Sequence, residues 1–316
     1  MIFLYWLADI RCTFLDFIMS VITYLGDEIG FMAVALFLYW CIDKNRAYYI
    51  FTIGFIGTVM NQCLKMTCRV SRPWIKNPDF KIVENAREAA VGYSFPSGHT
   101  QNAVGTFGGV AATSKRKWVK IVFPILSALV AFSRMYLGVH TPYDVGFSII
   151  FAIILIFTLR PVFEFSKGNF KRMNILLGGI FSITFAGLIF IFFICEKIVP
   201  DGQISEEFLI NFATAKKNAV TMMACIVGLW ISYIIDSKYV RFDEKACTGA
   251  QIFKFAVGIA LLLCIKEGLK PMLGTSLLAT GTIYFLLVIM AGAVYPMAFP
   301  YINKMFLKLL KKREKE

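Results

Sequence analysis

The chain has 316 residues, of which 58% are hydrophobic and 17% charged, with a mean hydropathy of +0.67 and a formal net charge of +13. A water-soluble domain carries about a quarter charged residues, so this composition excludes an ordinary soluble globule. Uncharged runs such as Ile175 to Cys195 reach bilayer-crossing length. They are too long, and alternate too little, for barrel strands, which leaves an all-α, polytopic helical membrane protein.

In chain order, residues 1–28 come first. "MIFLYWLADIRC" lacks the basic start and small-residue cleavage site of a signal peptide. Acids and Arg11 recur among apolar residues there, which reads as an amphipathic interfacial helix, with a poor first span as the alternative. Nine spanning helices are then expected, at 29–43, 47–65, 97–114, 119–137, 143–160, 173–194, 218–236, 252–266 and 275–297. The chain divides into the segment 1–28, a helical core at 29–165, additional transmembrane helices at 166–303 and a basic tail at 304–316. Trp40, Trp74 and Trp118 fall close to span ends, where amphipathic rings settle. The eight cysteines show no metal-like spacing and read mostly as small buried hydrophobes. The pair Gly105 and Gly109 reads as close packing within the bundle. No motif sets an oligomeric state.

With nine spans, the whole +13 excess falls on the side reached at the end of the first. Basic residues cluster there at Lys44 and Arg46, at Lys115 to Lys120, and in the tail. The positive-inside rule makes that side cytoplasmic, with the N-terminus outside and the C-terminus inside. Topology and anionic headgroups therefore account for the basic balance, and no nucleic-acid partner is expected.

The opposite face collects different chemistry. The second span runs into "KMTCRVSRP", with Lys65, Arg69 and Arg72; the third begins at "PSGH", with His99. The fourth ends at Ser133 and Arg134, and the fifth begins at "HTPYD", with His140 and Asp144. His99 and His140 are the two histidines of the chain. Lys65, Arg72 and Arg134 make a cationic cluster that invites an anion, and arginine's planar fork suits phosphate oxygens. Ser97 reads as an N-cap and Gly98 permits close backbone approach, so the N–H groups of that turn form an anion site. Thr141 and Pro142 start the fifth span, which puts Asp144 where its carboxylate can orient the His140 imidazole and leave one ring nitrogen as a nucleophile.

"KMTCRVSRP", "PSGH" and "SRMYLGVHTPYD" fit K-x6-R-P, PSGH and S-R-x5-H-x3-D. Together they resemble the three-part signature of the type 2 phosphatidic acid phosphatase (PAP2) superfamily, over roughly residues 29–160. That resemblance implies a helical core like that of the vanadium haloperoxidases and a metal-independent phosphatase that needs no cofactor. It implies that His140 takes the phosphoryl group and that Asp144 stabilises it. It also implies that His99 protonates the leaving alkoxide and then activates water. Lys65, Arg72 and Arg134 would hold the phosphate, with Ser97, the Gly98 N–H and Ser133. Arg69 fits no position of the signature, and residues 161–316 carry no readable motif.

The preferred substrate class is a lipid phosphate or diphosphate, handled from the outer or periplasmic face of a cell membrane. A glucose-6-phosphatase-like sugar phosphatase and a lipid phosphotransferase would use the same residues. An anion transporter would use the cations alone. Trp74, Phe80 and Tyr93, in the loop before "PSGH", either help to choose the leaving group or anchor that loop at the interface.

Overall fold

The computed structural model describes residues 1–87, 90–195, 197 and 205–313. Among them every regular element is helical. The segment 1–28 is two helices, α1 (Ile2–Asp9) and α2 (Thr13–Thr23), followed by a 3₁₀ turn at Tyr24–Gly26. Next come α3 (Glu28–Phe37), extended by a π turn to Ile42, and α4 (Lys44–Cys68). The helix α5 runs from Gly98 to Thr113 through a central π turn, followed by α6 (Lys117–Tyr136) and α7 (Pro142–Ser166). The second half holds α8 (Phe170–Ile189), α9 (Glu206–Ile235), α10 (Thr248–Leu273), α11 (Leu277–Ile289) and α12 (Phe299–Arg313).

The starts follow local chemistry. Asp43, Ser97, Thr141, Asn169, Ser205 and Ser276 each accept a backbone N–H of the helix that follows. Short oxygen-bearing side chains at this position satisfy donors that the helix cannot.

Helices lie where the spans were expected, yet fewer meet the requirement of length and apolarity. Six of the described helical stretches do so: Lys117–Tyr136, Pro142–Ser166, Phe170–Ile194, Glu206–Val240, Thr248–Leu273 and Leu277–Lys312. A seventh is added if Thr13–Gly26 and Glu28–Ile42, bent by 54°, form one broken span. The helices α4 and α5 fall outside this set. Helix α4 carries Lys44, Asn45 and Arg46 at one end and Asn61, Gln62 and Lys65 near the other, while much of its length is buried inside the protein. Its surroundings are other helices, so it has little need of a lipid-compatible surface.

Helix α4 lies at the centre of the main hydrophobic core, with Tyr49, Ile50 and Ile53 among its buried residues. Gly105 and Gly109 pack on it: a Cβ at Gly109 would lie 2.6 Å from Ile50 and one at Gly105 would lie 3.0 Å from Ile53. The glycine pair therefore serves packing inside the chain. Ile121, Ile150, Ile154 and Phe157 face outward, as a lipid-exposed surface requires.

Four sequence expectations need adjusting. The N-terminal segment breaks at residues 10–12 rather than forming one helix. Helix α9 begins twelve residues before the expected 218, because Ser205 caps it and polar residues in its first turns depressed the apolar signal. Trp40 is fully buried instead of interfacial, donating to the Ala291 carbonyl at 2.9 Å and packing on Tyr295. Cys12, Cys68 and Cys264 are exposed on the isolated chain, whereas Cys41 and Cys195 are buried. The last three residues of the expected basic tail lie outside the described residues; its residues 304–313 are helical, as the greater part of α12.

Candidate active site

Four helix ends and one loop converge. Helix α4 stops where Arg69 adopts a left-handed conformation, φ 47°, with its N–H on the Lys65 carbonyl. Arg69 Nε also reaches the Met66 carbonyl at 3.1 Å, so this arginine serves as a helix terminus. One turn earlier, Lys65 is buried and its ammonium donates to the Tyr93 carbonyl.

Arg72, 3% exposed, ties two segments together. Its Nε donates to the Gly92 carbonyl, Nη2 to Val91 and Nη1 to Val139, each at 2.9 Å. Nη1 also lies 2.9 Å from His140 Nε2. A guanidinium has donors only, so His140 Nε2 must be the acceptor and its ring proton sits on Nδ1. That nitrogen faces Asp144, with Oδ2 at 3.6 Å, which is ion-pair range but too long for a hydrogen bond. Asp144 is itself fixed. Its Oδ2 accepts from Ser94 Oγ at 2.6 Å and from the Thr141 N–H at 2.7 Å, while Thr141 Oγ1 accepts the Asp144 N–H at 3.3 Å. This reciprocal pair is a capping box, so starting α7 and placing the carboxylate are one structural event.

Arg134, fully buried at the end of α6, donates through Nη1 to Thr23 Oγ1 at 2.7 Å. Its Nε and Nη2 have no hydrogen-bond partner among the described residues. Unpartnered buried donors on a cation cost free energy unless a ligand completes them. Ser97 caps α5, its Oγ lying 2.9 Å from Thr100 Oγ1. The nearest atom to a Cβ built at Gly98 is Asn61 Oδ1, at 3.8 Å, so the glycine leaves room above that turn. His99 is half-buried, and its carbonyl abuts Gly26, where a Cβ would approach to 2.7 Å. Ser133 is placed differently from the others, because its hydroxyl donates to the Val130 carbonyl at 2.7 Å within its own helix.

Charge on the cluster is lopsided. Burial holds the His140 imidazole well below its ordinary range, and Arg72, Arg134, Lys65 and His99 push it further in the same direction. His140 is therefore a neutral base at neutral pH. Burial also lowers Arg72 to about 10, partly opposed by Asp144 and Glu207. Among the described residues no group of three or more His, Cys, Asp or Glu side chains is placed to hold a metal ion.

Phe80 and Tyr93 are buried within the loop and support it. Trp74 lies under two guanidinium groups, 5.8 Å from Arg72 and 5.5 Å from Arg87. Two contributors had no signal in the sequence. Ser94 meets a carboxylate 50 positions away, and Thr23 meets an arginine 111 positions away. The second half also reaches the site's loop, where Glu207 Oε2 accepts from Ser71 Oγ at 2.9 Å.

Residues 45–167 match the PAP2 superfamily, and residues 220–305 match the PAP2 superfamily phosphatase transmembrane extension. The chain is 30% identical over 148 residues to undecaprenyl-diphosphatase BcrC of Bacillus subtilis (strain 168), covering 45% of this chain and 71% of that protein. It is 29% identical over 165 residues to phosphatidylglycerophosphatase B of the same organism, covering 48% and 76% respectively. A probable sphingosine-1-phosphate phosphatase of Dictyostelium discoideum is 26% identical over 235 residues, covering 70% of this chain and 55% of that protein. No solved structure matches. The chain belongs to the PAP2 superfamily and is a multi-pass membrane phosphatase, a hydrolase of phosphoric esters. The extension at 220–305 falls in the half where the sequence offered no readable motif.

Proposed function

We propose that the protein hydrolyses lipid phosphate or diphosphate esters through a phosphohistidine, at the non-cytoplasmic face of a cell membrane. The observation that carries this reading is His140: a neutral imidazole whose Nε2 lone pair meets Arg72, with Asp144 beside its other nitrogen. The Nε2 lone pair attacks phosphorus, and the P–O bond to the lipid breaks. His99 gives a proton to the departing oxygen. His99 then takes a proton from water as the water oxygen attacks the phosphohistidine, which releases inorganic phosphate and restores His140. Lys65, Arg72 and Arg134 hold the phosphoryl oxygens, with the Ser97 hydroxyl and the Gly98 N–H. The charge that spreads over those oxygens in the transition state meets fixed cations that need no reorganisation. Ser133 supports the end of α6 rather than donating to phosphate.

The three relatives are named for lipid phosphates, which favours a lipid over a sugar substrate. The expected layout has nine spans, an outside N-terminus and a cytoplasmic basic tail. The core at 29–165 carries the chemistry, and the helices of 166–303 pack beside it.

The test is phosphate release by the detergent-purified protein, with EDTA present. The panel holds phosphatidic acid, phosphatidylglycerophosphate, sphingosine phosphate, undecaprenyl diphosphate and glucose 6-phosphate. We expect release from the lipids to fall by at least ~10³-fold in His140→Ala. Undiminished turnover by a folded His140→Ala enzyme would overturn the phosphohistidine.

A further inference from the structure

At the end of the bundle opposite His140 lies a cavity of about 520 Å³. It opens where the start of α4, the turn between α7 and α8, and the π turn Asp236–Val240 after α9 meet. Lys44 and Lys65 stand 21 positions apart on α4, which separates the two sites by about 30 Å. The volume lies within the range of small-molecule sites, roughly 300–1,000 Å³.

Lys44 is committed to the fold. Its Nζ lies 2.9 Å from Asp236 Oδ2 and 3.0 Å from the Phe242 carbonyl. The other oxygen of Asp236 accepts the Phe242 N–H at 3.2 Å. The one carboxylate lining the cavity is therefore already ion-paired with Lys44, and each of its oxygens has a partner. Lys238 and Arg241 also line it, and neither takes part in an ion pair among the described residues. Arg241 uses its Nε on the Ser237 carbonyl at 3.2 Å, which leaves its terminal amino groups for a ligand. The walls are aromatic. Phe170 and Tyr233 stack with centroids 5.9 Å apart, and Tyr48 meets Tyr233 edge-on at 5.5 Å. The Lys238 ammonium lies 5.4 Å from the Phe170 ring centre.

Two unbalanced cations beside apolar ring faces suit an anion that carries an apolar body. We propose that this cavity is a second, non-catalytic site for the phosphate group of an anionic glycerophospholipid, held by Lys238 and Arg241 with its glycerol end against Tyr48, Phe170 and Tyr233. Free phosphate has the same charge chemistry, but it would fill a small part of 520 Å³ and leave the aromatic walls unused. Basic pockets between membrane helices are suited to anionic headgroups.

The test uses the full chain in detergent and reads the thermal midpoint against added ligand. The ligands are short-chain phosphatidylglycerol, short-chain phosphatidylcholine and inorganic phosphate. Phosphatidylglycerol is a diester, which separates binding here from turnover at His140. We expect it to raise the midpoint by several degrees, with little effect from phosphatidylcholine. The response should persist in His140→Ala and shrink at least threefold in Lys238→Gln/Arg241→Gln, which should keep its phosphatase activity. Phosphatidylglycerol should also protect Lys238 of the unaltered protein from an amine-acylating reagent, read by mass spectrometry, so the site can be judged even if the double variant folds poorly. A phosphate response lost in the double variant would support the site with the free ion as its occupant. An unchanged phosphatidylglycerol response in the double variant, equal responses to both lipids, or no protection of Lys238 would overturn it.

Discussion

The two ends of α4 treat buried charge in opposite ways. At the Lys44 end a cation meets its carboxylate, Asp236, at 2.9 Å, and backbone groups take up what remains. At the Lys65 end three buried cations gather around one carboxylate, Asp144, whose ion-pair contact is with His140. A buried charge with a full set of partners holds helices in place. A buried charge without them costs free energy until a ligand arrives. On the proposed reading, the second end is built less for the stability of the empty protein than for an incoming anion.

The contrast can be broken from either end. Short of removing His140 itself, the largest effect is expected from Arg134→Ala: kcat/KM should fall by about 10²–10³-fold, as for other preorganised donors to a developing anion. Its thermal midpoint should be unchanged or raised, because an uncompensated charge has been removed. A lowered midpoint matching the lost activity would make Arg134 structural instead. Asp236→Ala should do the reverse. It leaves Lys44 without its partner and should destabilise by about 2–3 kcal/mol, less than for a wholly buried pair because the Lys44 side chain is 23% exposed. The turnover of the protein that remains folded should stay near normal.

Thr23→Val should be milder. It strips the acceptor from Arg134 Nη1 without changing side-chain volume much, and kcat/KM should drop about 5–20-fold. Thr23→Ser should restore most of that loss, which a purely volumetric role would not allow. The smallest effect concerns pH. Burial and neighbouring cations depress His140, so the base form persists below the ordinary imidazole range. The acid limb of kcat/KM should therefore lie below about pH 6.5. Lys65→Met removes one of those cations and should move the limb upward on whatever activity remains. By the same sign, the unfolded chain binds this proton more readily than the folded one, so stability falls as pH drops below about 6.5. An acid limb above pH 7 would contradict a depressed His140.

Much of this was legible because it is local. Thr141, Pro142 and Asp144 define a helix start within four residues, and the capping box follows from them. "PSGH" likewise announces a capped turn. The helices at 29–298 were visible as apolar runs, but α4 and α5 show that a site-bearing helix buried among its neighbours needs less apolarity than a lipid-facing one. What stayed hidden depends on tertiary approach. Ser94, Thr23 and Gly26 act on Asp144, Arg134 and His99 across separations that spacing cannot encode. The interfacial reading of Trp40 failed for the same reason, since the π turn Met290–Val294 that follows α11 closes over the indole, with Ala291 251 positions away.

Arg72 sets a limit on how this chain can vary. A guanidinium has five N–H groups, and four are engaged here: with Gly92, Val91, Val139 and the His140 lone pair. On the proposed mechanism, bonding of His140 Nε2 to phosphorus would release the N–H that pointed at its lone pair beside the new phosphoryl oxygens. A lysine at position 72 would bring three donors from a single point. It would have to abandon the loop at 91–92 or the substrate, so conserving the charge would not conserve the function. Drift at this position is closed even to the substitution that resembles it most.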